Sequence, residues 1–368
     1  MMRMSYQVFA RKWRPQVFAD VVGQEHVLHA LANSLSLGRI HHAYLLSGSR
    51  GIGKTTIARL LAKGLNCEKG ITAIPCGTCK NCIEIENNIF LDMIEIDAAS
   101  RTKVEDTREL LDNIQYVPYR GRFKIYLIDE VHMLSRHSFN TMLKALEEPP
   151  EHVKFLLATT DPQKLPITII SRCLQFHLKI LDVAQIINKL KNILKYEHIE
   201  ADQRALQLLA RAANGSMRDA LNLADQAIAI GNGIVSFNAV SLMLGSINIE
   251  KQPLSIIETI VNGNGKAMLA QLAQCASYGI DWDNLLIDIL SLLHSIAIEK
   301  ILPDQWHNNY NNSILIRLRI LSQKITNDNL QKYYNIILRG RKELQYAPDR
   351  RMGVEMTMLR ALAINKMQ

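Results

Sequence analysis

Three short apolar runs mark the first half of the chain: H-H-A-Y-L-L-S at 41–47, F-K-I-Y-L-I-D at 123–129 and V-K-F-L-L-A-T at 153–159. Runs of this length, closed by glycine, acidic or threonine residues, predict strands buried on both faces. Between them apolar positions recur at the spacing of one helix face, over 55–65 and 103–114. Buried strands alternating with amphipathic helices predict an α/β domain built on a parallel sheet. After residue 180 the strand-like runs fade. Helical patterns cover 182–196 and 202–213, and Ser216 followed by Asp219 marks a capped helix start. Gly231, Gly233 and the break over 245–253 mark a second boundary. Further helical patterns follow over 254–261, 266–275, 283–300, 313–322, 329–344 and 353–367. The pattern therefore divides the chain into an α/β domain over 1–180, a small helical lid over 181–246 and an all-helical domain over 247–368. No low-complexity linker or short-period repeat interrupts it.

Composition narrows the class. The chain has 368 residues, 48% of them hydrophobic, enough for two or three packed domains. No apolar run reaches the roughly 18–20 residues needed to span a bilayer. The start, M-M-R-M-S-Y-Q-V-F-A-R-K-W-R-P, lacks the apolar block of a signal peptide. A cytoplasmic protein without membrane contact is expected. Lys and Arg outnumber Asp and Glu by 43 to 35, a net +8 that suits a polyanionic partner and equally suits a plain basic protein.

The candidate chemistry begins after the first strand. Gly48-Ser49-Arg50-Gly51-Ile52-Gly53-Lys54-Thr55, with Thr56 next, fits G-x-x-x-x-G-K-[ST] between a strand and a helix. Glycines let backbone N–H groups turn toward phosphates, Lys54 adds charge at the β and γ oxygens, and the Thr55 hydroxyl suits Mg²⁺. The helix that follows points its positive end at the same anion. ATP and Mg²⁺ are the expected ligands. The second strand ends in Asp129-Glu130: Asp129 suits Mg²⁺, here through water, and Glu130 suits polarisation of an attacking water. Thr159 and Thr160 close the third strand, where a hydroxyl can sense the γ-phosphate. By spacing alone Arg172 and Arg218 read as solvated arginines.

These motifs together resemble one family. The segments R-K-W-R-P (11–15), D-V-V-G-Q (20–24), the phosphate loop, a cysteine cluster, L-I-D-E-V-H-M-L (127–134), L-K-A-L-E-E-P-P (143–150), A-T-T-D-P (158–162), S-R-C (171–173), G-S-M-R-D-A (215–220) and Y-A-P-D-R-R-M-G-V-E-M (346–356) are similar to the bacterial DNA polymerase III clamp-loader ATPases of the gamma/tau family, which are AAA+ proteins. The resemblance covers nearly the whole chain, and in extent it is to the short gamma form. It implies an AAA+ fold with a helical lid and an all-α collar for oligomerisation. It implies that Lys54 and Thr55 bind ATP and Mg²⁺, and that Asp129 and Glu130 are the hydrolytic pair. Thr160 would be the first sensor, with Thr159 the neighbouring choice of register. Arg172 would be a finger reaching the adjacent subunit's site, and Arg218 a second sensor on the lid. Val21 and Val22 would help enclose the adenine. Arg101, Lys103, Arg108 and Lys144 would follow DNA phosphates, independent of sequence and sensitive to salt. The implied partners are copies of the chain, delta-like and delta-prime-like subunits, the sliding clamp, primed DNA and the single-stranded-DNA-binding protein pathway.

Four of the six cysteines crowd into 67–82: Cys67, Cys76, Cys79 and Cys82. A cytosolic setting argues against disulfides. The overlapping C-x-x-C pairs also suit iron–sulfur ligation, although no trailing Cys-Pro follows. Four thiolates best suit a closed tetrahedral zinc site, which leaves no position for water and is structural. The family's zinc at matching cysteines supports this. The module reads as an insertion pinned by metal because it is too small for a core. Cys173 and Cys275 read as buried apolar residues.

The expected function is an ATP-driven clamp-loading motor within the DNA polymerase III holoenzyme, without a polymerase site of its own. Two other readings compete: a scaffold that binds nucleotide without hydrolysing it, and another AAA+ DNA motor such as a branch-migration helicase. The intact Lys54, Thr55, Asp129 and Glu130 set speaks against the first. The cysteine insert and the absence of a winged-helix pattern speak against the second.

Overall fold

Among the described residues, five parallel strands form one sheet in the order β2-β3-β4-β1-β5. They are β1 Ala43–Ser47, β2 Met93–Asp97, β3 Lys124–Asp129, β4 Val153–Thr159 and β5 Leu174–His177. This is a computed structural model, and it describes residues 7–100, 113–244, 252–277, 279–302 and 312–364. The chain divides into two compact units, 1–236 and 237–368.

The three central strands are the three apolar runs, and their side chains alternate between two cores. Tyr44, Leu46, Ile125, Leu127 and Leu156 face one side, packed with Leu31 of the helix Glu25–Ser36 and with Ile57 and Leu61 of the helix Lys54–Asn66. Ala43, Leu45, Tyr126, Ile128, Phe155 and Leu157 face the other, packed with Met142 and Leu146 of the helix Arg136–Glu147. Covering both faces is what a parallel sheet requires, and it places the carboxyl ends of β1, β3 and β4 along one edge. The helix expected over 103–114 falls mostly outside the described residues.

Three capped helices complete the first unit: Val183–Tyr196, Gln203–Ala212 and Met217–Ile230. Asp182 and Gln185 form a reciprocal capping box, and the Asp202 and Ser216 side chains each accept a first-turn N–H. The N-terminal segment is fastened to these helices. Phe9 N–H donates to Asp225 at 2.7 Å, Trp13 Nε1 donates to Glu197 at 2.8 Å, and the Trp13 ring meets Tyr196 edge-on at 5.0 Å.

The second unit is helical: Phe237–Met243, Gln252–Val261, Gly265–Ser277, Trp282–Ile301, Asn312–Lys324, Asn327–Glu343 and Arg350–Ala363. Its core gathers Leu254, Ile257, Leu272, Leu286, Ile289, Leu293, Leu318, Ile337, Val354 and Met358. Gly340 lets the last two helices touch, because a Cβ there would lie 2.2 Å from Thr357 Oγ1. No helix among the described residues is long and apolar enough to cross a membrane.

Candidate functional site

The loop between β1 and the helix Lys54–Asn66 is shaped by glycine. Gly48, Gly51 and Gly53 have φ of 141°, 77° and 108°, which side-chain-bearing residues rarely adopt. At Gly48 space adds a second demand, since a Cβ would sit 2.6 Å from Ile52 Cδ1 and 2.7 Å from Leu178 O. Inside this loop Lys54 is only 5% exposed, and its Nζ donates to Gly48 O at 2.7 Å and Ser49 O at 2.9 Å. Burial pulls its pKa below the ordinary lysine value, Glu130 and then Asp129 push back, and Arg218 lowers it further. A cation so placed gains by exchanging carbonyl oxygens for charged phosphate oxygens.

The acidic pair stands opposite. Asp129 Oδ2 accepts the Thr55 hydroxyl at 2.8 Å, and Oδ1 accepts the Glu130 N–H at 3.0 Å. Two hard oxygens on adjacent strand and helix ends suit a small divalent cation bound together with phosphate. Glu130 adopts left-handed backbone, φ 49° and ψ 47°, a strained state for glutamate that turns its side chain off the end of β3. Its Oε2 accepts both the backbone N–H of Thr160, at 3.0 Å, and the Thr160 hydroxyl, at 2.8 Å. Thr159 has a different partner. It is fully buried, and its hydroxyl meets His132 Nδ1 at 2.9 Å and accepts the Asp161 N–H at 3.1 Å.

Lys54, Thr55, Asp129 and Glu130 open on one cavity of about 360 Å³, in the size range of small-ligand sites. Arg50, Gly51, Ile52, Gly53, Lys54, Thr55 and Thr56 line it with Asp129, Glu130, Val21, Val22 and Arg218. Gly48 and Ser49 act as acceptors for Lys54. The helix Met217–Ile230 reaches the loop directly: Arg218 N–H donates to Gly51 O at 3.3 Å. A Cβ on Gly51 would lie 2.0 Å from Ser216 Oγ.

Sequence reasoning gave no role to Arg14, Asp97 or Lys189, yet all three line the cavity. Burial, then Arg59, then Arg218, holds the Arg14 pKa below the usual arginine value. Asp97 ends β2 beside Asp129. The one signal for Arg14 was its place in R-K-W-R-P.

Other expected residues lie elsewhere. Arg172 is not in the cavity wall; it donates to Thr168 O at 2.8 Å and to Glu147 Oε1 at 2.9 Å. Lys144 is exposed on the helix Arg136–Glu147. Arg101, Lys103 and Arg108 lie outside the described residues.

The cysteines form a separate cluster. The sulfurs of Cys67, Cys76, Cys79 and Cys82 lie within 4.8 Å of one another. A tetrahedron with Zn–S near 2.3 Å needs sulfurs about 3.8 Å apart, so the set fits a single ion with small adjustments. Backbone N–H groups point at three of the sulfurs: Cys76 to Cys67 at 3.5 Å, Cys79 to Cys76 at 3.3 Å and Cys82 to Cys79 at 3.4 Å. Such donors favour thiolate, and N–H groups of Thr78 and Cys79 bring the Cys76 pKa down to about 6. Burial raises the Cys82 and Cys275 thiols above the ordinary cysteine value and pushes Cys173 up to about 12. Cys67 ends the helix Lys54–Asn66, and Arg122 Nη1 donates to its carbonyl at 2.8 Å. The cluster thus closes the far end of the helix that opens at the phosphate loop.

Comparison with known proteins gives consistent matches along the chain. Residues 23–182 match the family profile "DNA polymerase III, delta subunit". Residues 185–233 match "DNA polymerase III clamp loader subunit, ATPase lid domain", and 235–368 match "DNA polymerase III subunits gamma and tau domain III". DNA polymerase III subunit tau of Escherichia coli is 67% identical over 98% of this chain, which spans 56% of that subunit's length. DNA polymerase III subunit gamma of Buchnera aphidicola from Acyrthosiphon pisum is 51% identical over 98% of this chain and 99% of its own. The tau subunit of Bacillus subtilis is 36% identical over 97% of this chain and 63% of its own. The Buchnera gamma subunit, matched along nearly its whole length, together with the three profiles, places the chain in the DNA polymerase III gamma/tau clamp-loader subunit family.

Proposed function

We propose that the chain is an ATP-hydrolysing motor subunit of a replicative clamp loader. ATP binding lets the assembled loader open a ring-shaped sliding clamp, and hydrolysis on primed DNA releases the clamp closed. The chain has no polymerase site of its own and serves the DNA polymerase III holoenzyme as its loader component. The observation that carries this reading is one cavity that joins Lys54, Thr55, Asp129, Glu130 and Arg218. A scaffold that only binds nucleotide would have no use for a glutamate aimed by two hydrogen bonds from Thr160.

In this reading Lys54 and the loop N–H groups hold the phosphates, and Val21 and Val22 wall the adenine. Mg²⁺, held by Thr55 and Asp129, would neutralise phosphate charge. Glu130 polarises the attacking water, Thr160 aligns Glu130 as the first sensor, and Arg218 acts on the phosphates from the lid. Arg172 serves the site of the neighbouring subunit. Zinc in the Cys67, Cys76, Cys79 and Cys82 cluster is structural. The part over 181–246 is the lid, and the part over 247–368 holds the oligomer. Arg101, Lys103, Arg108 and Lys144 follow the DNA backbone. The partners are the other loader subunits, the clamp and primed DNA in the cytoplasm, with the single-stranded-DNA-binding protein pathway adjoining.

The test is clamp retention on primed circular DNA in a reconstituted loader. Retention that requires ATP and an intact Lys54 supports the reading. Retention that proceeds equally with Lys54→Ala in every copy overturns it.

A further inference from the structure

We infer that Glu147 is the residue that positions Arg172 for its work at a neighbouring subunit. The inference rests on the proposed role of Arg172 as a finger. It begins from how firmly the arginine is held. Its backbone is fixed on both sides: Arg172 N–H donates to Ile169 O at 3.1 Å and Cys173 N–H to Ile170 O at 3.3 Å, while Ile169 and Cys173 are buried in the core behind the sheet. The guanidinium is then held twice more, Nη1 by Thr168 O at 2.8 Å and Nη2 by Glu147 Oε1 at 2.9 Å. Guanidinium carries five N–H groups, so these two bonds leave three to donate to an incoming anion. The side chain is aimed without being used up.

Glu147 has no evident structural reason to be acidic. It ends the helix Arg136–Glu147, where the helix dipole disfavours negative charge. The Arg172 side chain is partly exposed, 34%, and that of Glu147 exposed, 52%, and ion pairs so open to water add little to folding. What the pair does supply is orientation. A long arginine left free would sample many rotamers, and a finger that must meet a γ-phosphate loses rate when it is misplaced by an ångström.

The test is steady-state ATP hydrolysis by the assembled loader on primed DNA, with kcat and KM resolved for Glu147→Ala, Glu147→Gln, Arg172→Ala and the Glu147→Ala, Arg172→Ala pair. Glu147→Ala is expected to lower kcat about tenfold with KM for ATP and the thermal transition unchanged. Glu147→Gln keeps an acceptor oxygen and recovers most of that loss. The double variant matches Arg172→Ala, because Glu147 acts only through Arg172. If Arg172→Ala is slow while Glu147→Ala turns over like the parent, the finger stands and the positioning role falls. If Glu147→Ala slows the Arg172→Ala protein by the same factor as the parent, Glu147 acts elsewhere and the inference is overturned. If Arg172→Ala itself hydrolyses at the parent rate, the finger reading fails and takes this role with it.

Discussion

Thr160 donates twice to one carboxylate oxygen of Glu130, from its backbone N–H at 3.0 Å and its hydroxyl at 2.8 Å. The last residue of β4, Thr159, is the one turned inward to His132. Thr160→Val keeps the backbone bond and loses the other. A hydrogen bond to a charged group contributes about 1.5–3 kcal/mol, so turnover should fall roughly tenfold or more while ATP affinity holds. Thr159→Val should chiefly lower thermal stability, because it strands the Asp161 N–H and takes the nearer of two partners from His132, whose Nδ1 also lies 3.5 Å from Glu130 Oε2. Stopped-flow binding, turnover and melting curves separate the two; a larger turnover loss in Thr159→Val reverses the sensor register.

The cysteine cluster predicts about one zinc per chain by elemental analysis. Cys79→Ser should lower the melting temperature of the first unit by about 5 °C or more. ATP affinity should survive, since the helix Lys54–Asn66, 13 residues long, puts about 20 Å between the metal and the phosphate loop. Iron in the purified protein, or a full complement of thiols with no metal, contradicts the assignment.

Asp92 is 3% exposed and its carboxylate accepts the N–H groups of Tyr119, Arg120 and Gly121 at 2.6, 2.8 and 2.6 Å. It ties the loop before β3 to the loop before β2. Asp92→Ala should cost about 3 kcal/mol, or about 6–12 °C in melting temperature, with nucleotide affinity retained in the folded fraction. An unchanged melting curve would mean the loop holds itself.

If Arg172 acts on a neighbour, Arg172→Ala should bind ATP normally and hydrolyse it about 10³-fold or more slowly. Mixing it with Lys54→Ala protein creates interfaces with an intact loop on one side and an intact arginine on the other. Activity should partly return once fluorescence transfer confirms subunit exchange. Activity that stays at the level of the separate variants points to action within one subunit.

Much of this was legible in the sequence where residues sit in a local pattern. The phosphate loop follows an unbroken apolar strand, Asp129-Glu130 closes another, and Ser216 accepts the Asp219 N–H at 3.2 Å at the capped start the sequence predicts. β2 and β5 escaped notice because they are edge strands. Met93–Asp97 is mostly half-buried and Leu174–His177 mostly exposed, so neither carries a continuous apolar run. The helix Arg136–Glu147 begins at a Ser135 cap, and its only sequence mark is the L-K-A-L-E-E-P-P segment over 143–150. The cavity positions of Arg14, marked only by R-K-W-R-P, and of Asp97 are hidden for another reason. Both residues reach the cavity because the N-terminal segment is fastened to Asp225 and Glu197, and because β2 pairs with β3. No spacing in the chain encodes either contact. The pairing of Arg172 with Glu147 spans 25 residues and is likewise a product of the fold.

If the cavity binds ATP through Lys54 and hydrolyses it through Glu130, the two residues should fail in different ways. The direct measurement is ATP affinity and steady-state turnover, side by side, in Lys54→Ala and Glu130→Gln. Lys54→Ala is expected to lose affinity about 100-fold or more, since a buried cation on the phosphates is gone. Glu130→Gln is expected to keep affinity and lose turnover by about 100-fold or more, since the water is no longer polarised. Parent-like affinity in Lys54→Ala, or parent-like turnover in Glu130→Gln, would contradict these roles.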